Sequence, residues 1–108
     1  MVYIINIKTL LQTKQFAKWF RRLKDDLAKV AIGRRLERLV QENYGDFKSI
    51  GEKIFELRIN ISKGYRVYFM DKENEIIILL LGGDKSSQDD DIKMARRLAK
   101  EYKDGKSN

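Results

Sequence analysis

A chain of 108 residues with 43% hydrophobic content suits one compact domain that hides roughly 65% of its unfolded surface on folding, with no room for a second. Its 23 Lys and Arg against 16 Asp and Glu, with no histidine, give a formal charge of +7, so its natural partners are polyanions: nucleic acid, anionic lipid or an acidic protein. The lack of cysteine excludes disulfide staples, thiolate zinc sites and cysteine nucleophiles, and nothing points to an oxidising compartment, so a cytoplasmic protein is expected.

The first ten residues are apolar but interrupted by Asn6 and Lys8. They show no charged leader and no small-residue cleavage site, and no run approaches the roughly 18 apolar residues of a membrane span, so neither export nor insertion is expected. Repeats, proline and low-complexity linkers are absent. Residues 1–102 read as a single domain and 103–108 as a loose polar tail.

Tyr3, Ile5 and Ile7 alternate with more polar neighbours, which predicts a first strand over 2–8. The period then changes: Phe16, Phe20, Leu23 and Leu27 recur at helical spacing beside Trp19, after a Thr13 cap, predicting a helix over about 14–25. Ile32, Leu36, Leu39 and Val40 mark a second helix closed by Asn43-Tyr44-Gly45, glycine being well suited to the left-handed turn at a helix end. The two form a helical hairpin whose outward faces carry Lys18, Arg21, Arg22, Lys24, Lys29, Arg34, Arg35 and Arg38. Such a run is more often a solvated face than an RNA-binding one.

After a loop containing Gly51, Phe55, Leu57 and Ile59 alternate with Glu56, Arg58 and Asn60, which sends the apolar set to the core and Glu56 and Arg58 to the opposite face. Ser62-Lys63-Gly64 supplies a turn, and Tyr65, Val67 and Phe69 then alternate with Arg66, Tyr68 and Met70. A polar turn over 71–75 leads into the apolar run 76–81, a central strand with both faces covered, which Gly82 and Gly83 end. Ser86 or Ser87 caps a last helix with Asp89, Asp90 and Asp91 in its first turn and Ile92, Ala95, Ala99 and Tyr102 as its buried stripe. The order β-α-α-β-β-β-α predicts an α+β fold: a small, mainly antiparallel four-stranded sheet with an N-terminal helical hairpin and a C-terminal helix.

Two motifs fail on inspection. Gly83-Asp84-Lys85-Ser86 lacks the glycines that a nucleotide-binding P-loop requires, Asp84 and Leu79 standing in their places. Asp89, Asp90 and Asp91 are adjacent on a helix and point in different directions, so capping suits them better than Mg²⁺. What remains is a cluster of cations and aromatics at one edge of a sheet, equipped to grip and polarise a phosphodiester.

Taken in order, Glu56-Leu57-Arg58, Gly64-Tyr65-Arg66-Val67-Tyr68-Phe69 and Leu81-Gly82-Gly83-Asp84-Lys85-Ser86-Ser87-Gln88 resemble the addiction-module killer proteins, the HigB-like branch of the RelE/ParE toxin superfamily. The likeness runs from residue 16 to residue 102. It implies a RelE-like fold and a bacterial toxin neutralised by a small antitoxin, often a helix-turn-helix protein, with operator DNA reached only through the antitoxin complex. It also implies an mRNA interferase: an endoribonuclease that cuts mRNA in the ribosomal A site without metal or cofactor and so inhibits translation.

Carried over by position, the resemblance makes Arg66 the strand arginine of the family's Gly-Tyr-Arg motif, Lys85 the basic residue after the last strand, and Arg58 the arginine of the Leu-Arg strand. Glu56 falls where some RelE-like members carry lysine, and no tyrosine stands at 89–92, where a catalytic one is often found. Arginine cannot deprotonate at working pH, so Arg66 and Arg58 hold phosphate oxygens, and the proton must move through Lys85, a carboxylate such as Glu56 or Asp84, or Tyr65 or Tyr68. Tyr65 or Tyr68 would stack a base, with Glu56 and Asp84 at the RNA-binding edge.

An arginine on an exposed strand face is ordinarily solvated or paired, here Arg58 with Glu56. The same fold also serves ParE-like toxins that inhibit DNA gyrase by protein binding without nuclease activity. A third reading is a non-enzymatic domain that binds only its antitoxin and operator DNA.

Overall fold

The computed structural model describes residues 7–73 and 75–103. Its elements are β1 (Thr9–Gln12), α1 (Lys14–Arg22), α2 (Asp26–Val40), β2 (Phe47–Gly51), β3 (Ile54–Ile59), β4 (Tyr65–Lys72), β5 (Ile76–Gly83), a 3₁₀ turn (Lys85–Ser87) and α3 (Gln88–Lys103). The strands form one five-stranded sheet in the order β1-β5-β4-β3-β2. Only β1 runs parallel to its neighbour β5; the other pairings are antiparallel.

Period-two alternation divides the sheet's side chains between two cores. Leu57, Ile59, Tyr65, Val67, Phe69, Ile77 and Leu79 pack under Phe16 of α1 and Ala28, Ile32 and Leu39 of α2. Ile54, Tyr68, Met70, Ile78 and Leu80 pack on the other face against Ala95, Leu98 and Ala99 of α3. The unbroken run in β5 is therefore covered on both sides, as its sequence predicts.

Thr13 caps α1, its hydroxyl accepting from the Phe16 N–H at 3.0 Å and donating to the Leu80 carbonyl at 2.7 Å. The helix is shorter than its apolar stripe predicts. Asp25 accepts from the Ala28 N–H and starts a new helix, and the break turns Leu27 out to 74% exposure.

The predicted strand over 2–8 lies outside the described residues as far as residue 6, and Ile7 and Lys8 are not in a strand. Lys8 is instead buried, its ammonium 2.7 Å from Asp71 and 2.7 Å from the Tyr44 hydroxyl, and the strand follows at Thr9–Gln12. A fifth strand, β2, occupies what reads as a loop, because its backbone completes the edge of β3. Asp71 and Lys72 belong to β4 rather than to a turn, with Asp71 held by Lys8.

Gly82 and Gly83 are themselves part of β5, which runs two residues beyond the apolar stretch and ends at Gly83. They mark close approach: a β-carbon on Gly82 would meet the Trp19 ring at 2.1 Å, and one on Gly83 the Asp91 carboxylate at 1.8 Å. The 3₁₀ turn that leads into α3 has its own cap in Asp84, whose carboxylate accepts from the Ser86 N–H at 2.8 Å while the Ser87 hydroxyl accepts from the Asp84 N–H at 3.3 Å; Ser87 stands immediately before α3.

Candidate functional site

Two turns meet at one end of the sheet. Between β3 and β4 the chain reverses through Ser62-Lys63-Gly64, with Gly64 at φ +71°, where glycine escapes the steric cost that a side chain would bring. The turn after β5 is tied to it by the Lys85 N–H, which donates to the Lys63 carbonyl at 3.4 Å. Asn60, Ile61, Ser62, Lys63, Gly64, Arg66 and Lys85 line a pocket of about 340 Å³ there.

The Arg66 guanidinium curls toward this turn and donates from Nη1 to the Gly64 carbonyl at 2.8 Å. Lys85 and Lys63 are exposed at the same pocket. The structure therefore brings Arg66 and Lys85 together and adds Lys63, Ser62 and Asn60, which sequence reading treats only as turn and strand end. The signal available was a lysine beside the turn glycine, but a turn lysine is ordinary until another cation is known to face it.

Arg58 lies outside the pocket lining, directly opposite Arg66 in the β3–β4 register. Its Nε donates to Glu56 Oε1 at 3.2 Å, and its side chain is 35% exposed. The expected pairing with Glu56 is thus present.

Glu56 is not at an RNA-binding edge. Its side chain is 1% exposed, because α3 covers the face of β3 that reads as polar and free. Oε2 accepts from the Tyr68 hydroxyl at 3.1 Å and from Gln88 Nε2 at 2.9 Å, with Arg66 Nε 3.8 Å away.

Neither tyrosine is placed to stack a base. Tyr68 is wholly buried and Tyr65 is 4% exposed. Tyr65 faces the other core, donating its hydroxyl to Asp25 at 3.2 Å with its ring edge-on to Trp19. Burial, reinforced by the Glu56 carboxylate, pushes the Tyr68 phenol well above its ordinary range, and burial followed by Asp25 pushes Tyr65 up. Both are poor bases at neutral pH.

Asp84 is occupied as a cap. The Ser86 hydroxyl, 2.5 Å from its Oδ1, holds the carboxyl below its ordinary value, with the Ser86 N–H adding to the effect. Of the groups considered for proton transfer, Lys85 alone stands open at the pocket. Among the described residues no group of three or more His, Cys, Asp or Glu side chains is arranged to hold a metal ion, and no helix is long and apolar enough to cross a membrane.

The basic helical face is partly structural. Arg35 donates to the carbonyls of Arg58 at 2.6 Å, Tyr44 at 3.0 Å and Asp46 at 3.0 Å, pinning α2 to the β2–β3 edge.

Residues 18–103 match the family described as phage-derived Gp49-like proteins. The chain belongs to the Gp49-like family. This Gp49-like chain is 50% identical over 97 residues to an uncharacterised protein of Haemophilus influenzae, a match covering 90% of the chain and 95% of that relative.

Its fold is similar to that of a mutant of E. coli toxin RelE in the free state, with a TM-score of 0.68 at 14% identity over 85% of this chain and 98% of the other. A chain of the intact E. coli RelBE toxin–antitoxin complex aligns with a TM-score of 0.57 at 15% identity, over 71% and 95% of the two chains. The expected α+β, RelE-like architecture is thus the one observed, with five strands in place of four. The Gp49-like match places the second half of α1, all of α2, the sheet from β2 onward and both cationic turns inside the family's extent.

Proposed function

We propose that this protein is the toxin of a bacterial type II toxin–antitoxin pair, of the HigB-like kind, and that it blocks translation as a ribosome-dependent mRNA endoribonuclease. The observation that carries this reading is the convergence of Arg66, Lys85 and Lys63 on one pocket between two turns. The RelE-like fold supports it, and the RelBE complex among the similar structures supports a cognate antitoxin as partner. That antitoxin is taken to be a small helix-turn-helix protein through which operator DNA is reached, and work on the ribosome places the toxin in the cytoplasm.

In the proposed reaction a ribose 2′-hydroxyl attacks the adjacent phosphorus, the bond to the 5′-oxygen breaks, and the products are a cyclic phosphate and a 5′-hydroxyl end. Arg66 and Lys85 stabilise the charge that accumulates on the pentacoordinate phosphate. Arg58, opposite Arg66 on the neighbouring strand and with its side chain 35% exposed, holds a neighbouring phosphate. Lys85 moves the proton, since Glu56, Asp84, Tyr65 and Tyr68 are each engaged elsewhere.

The test is a pair of incubations, one with translating ribosomes and one with gyrase and supercoiled plasmid. Cut mRNA bearing 5′-hydroxyl ends in the first reaction, with normal supercoiling in the second, is the expected result. Gyrase inhibition without RNA cleavage would replace this reading with a ParE-like one.

A further inference from the structure

We propose that Glu56 is a positioning residue, whose buried carboxylate holds the Arg58 and Arg66 guanidinium groups and the start of α3 in a single arrangement without touching RNA. The inference deepens the nuclease reading and rests on it for its cleavage assay, though not for its spectroscopic one.

Arg58 and Arg66 stand directly opposite one another on β3 and β4, and like charges facing across a ladder repel. Glu56 lies between them in charge: Oε1 accepts from Arg58 Nε at 3.2 Å, and Oε2 is 3.8 Å from Arg66 Nε. That Arg66 Nε is buried and has no hydrogen-bond partner among the described residues, so the Glu56 carboxylate is what balances it. Oε2 also accepts from Tyr68 and from Gln88. Gln88 opens α3 immediately after the 3₁₀ turn that begins with Lys85, so one carboxylate connects both strand arginines to the element that carries the pocket lysine.

A carboxylate sunk to 1% exposure is a weak source of stability, because desolvation offsets most of what its partners return. What it supplies is geometry. Its two oxygens accept from Arg58, Tyr68 and Gln88 and face the otherwise unpartnered Arg66 Nε at 3.8 Å, so groups from β3, β4 and α3 are fixed around one point.

Glu56→Gln keeps the shape and an acceptor for Tyr68 and Gln88 but removes the charge. The variant is expected to fold and to bind a single-stranded RNA oligonucleotide as tightly as the native protein or more so, since its site has gained net positive charge. Its turnover on ribosomes should fall by about 100-fold, the scale of a misplacement near 1 Å. In ¹⁵N NMR the Arg66 Nε–H, which is buried, should exchange slowly in the native protein and faster in the variant. Gln88→Ala, which cuts only the link to α3, should lower turnover several-fold with oligonucleotide affinity unchanged, and it stands in if Glu56→Gln fails to fold. Native turnover in the folded variants, with the Arg66 Nε–H equally protected, would overturn the proposal. If the native protein itself cuts no RNA, the nuclease reading falls, and the Arg66 exchange comparison alone decides the role of Glu56.

Discussion

Arg66 and Lys85 meet across Gly64: a β-carbon on that glycine would stand 3.6 Å from Arg66 Nη1 and 3.6 Å from Lys85 Cβ. The two cations come from different elements, and only the contact between the β3–β4 turn and the turn after β5 brings them to one pocket.

Removing Lys85, which is exposed, should therefore act on chemistry rather than folding, whereas removing Arg66 also takes away a cation facing the buried Glu56 carboxylate. Arg66→Ala and Lys85→Ala are each expected to lower ribosome-dependent cleavage by roughly 100-fold or more, with the Lys85 variant melting close to the native protein and the Arg66 variant melting lower. Lys85→Arg separates charge from proton transfer, because a guanidinium stays protonated. It should keep RNA affinity and lose turnover, as read by single-turnover cleavage beside oligonucleotide binding.

Tyr68→Phe tests the reassignment of the tyrosine. The ring is buried and its hydroxyl is engaged with Glu56, so the variant should lose about 1 kcal/mol of stability while cleavage stays within a few-fold of native. Denaturant melts and cleavage rates measured on the same preparation check both halves. Complete loss of cutting in a folded variant would return Tyr68 to the reaction.

Gly82→Ala probes how closely α1 lies on the sheet. The added methyl would fall 2.1 Å from the Trp19 ring, and a ring wedged between helix and strand has no flexible end to give way. A loss of about 1–3 kcal/mol is expected, accompanied by a shift in Trp19 fluorescence, the chain having a single tryptophan.

The Lys8–Asp71 pair should dominate the alkaline limb of stability. Burial works against the Lys8 ammonium, but hydrogen bonds to Asp71 and Tyr44 and the Asp71 charge together outweigh it and raise its pKa above 10.5. A group whose folded pKa is raised contributes its stability in full below the unfolded value and loses it as pH climbs through the folded one. Unfolding free energy should thus hold up to about pH 10.5 and fall above it. Lys8→Met should cost about 3 kcal/mol near neutrality by stranding the Asp71 charge, and the double variant Lys8→Met, Asp71→Leu should recover most of that. Chemical denaturation at a series of pH values reads both effects.

Local periodicity made much of the frame legible. The alternation of Phe55, Leu57 and Ile59, of Tyr65, Val67 and Phe69, and the apolar run of β5 each belong to strands, and Thr13 caps α1 as its sequence predicts. Leu27 misled because it continues the helical stripe of α1, while the Asp25 cap resets the helical phase before it. Glu56 misled for a different reason. A polar residue alternating with apolar ones reads as solvent-facing, and only α3, more than thirty residues further along, turns that face into a second core.

The amino-acid order determined β3, β4 and β5, the presence of three helices and which cations lie next to a turn, because those properties follow from spacing along the backbone and from the φ and ψ that each residue tolerates. Tertiary structure alone decided that Arg66, Lys85 and Lys63 share a pocket, that Glu56 is sealed beneath it, and that Tyr65 and Tyr68 face opposite cores. Each of those outcomes depends on which distant element covers a given face of the sheet, and that choice is made by the packing of the whole chain.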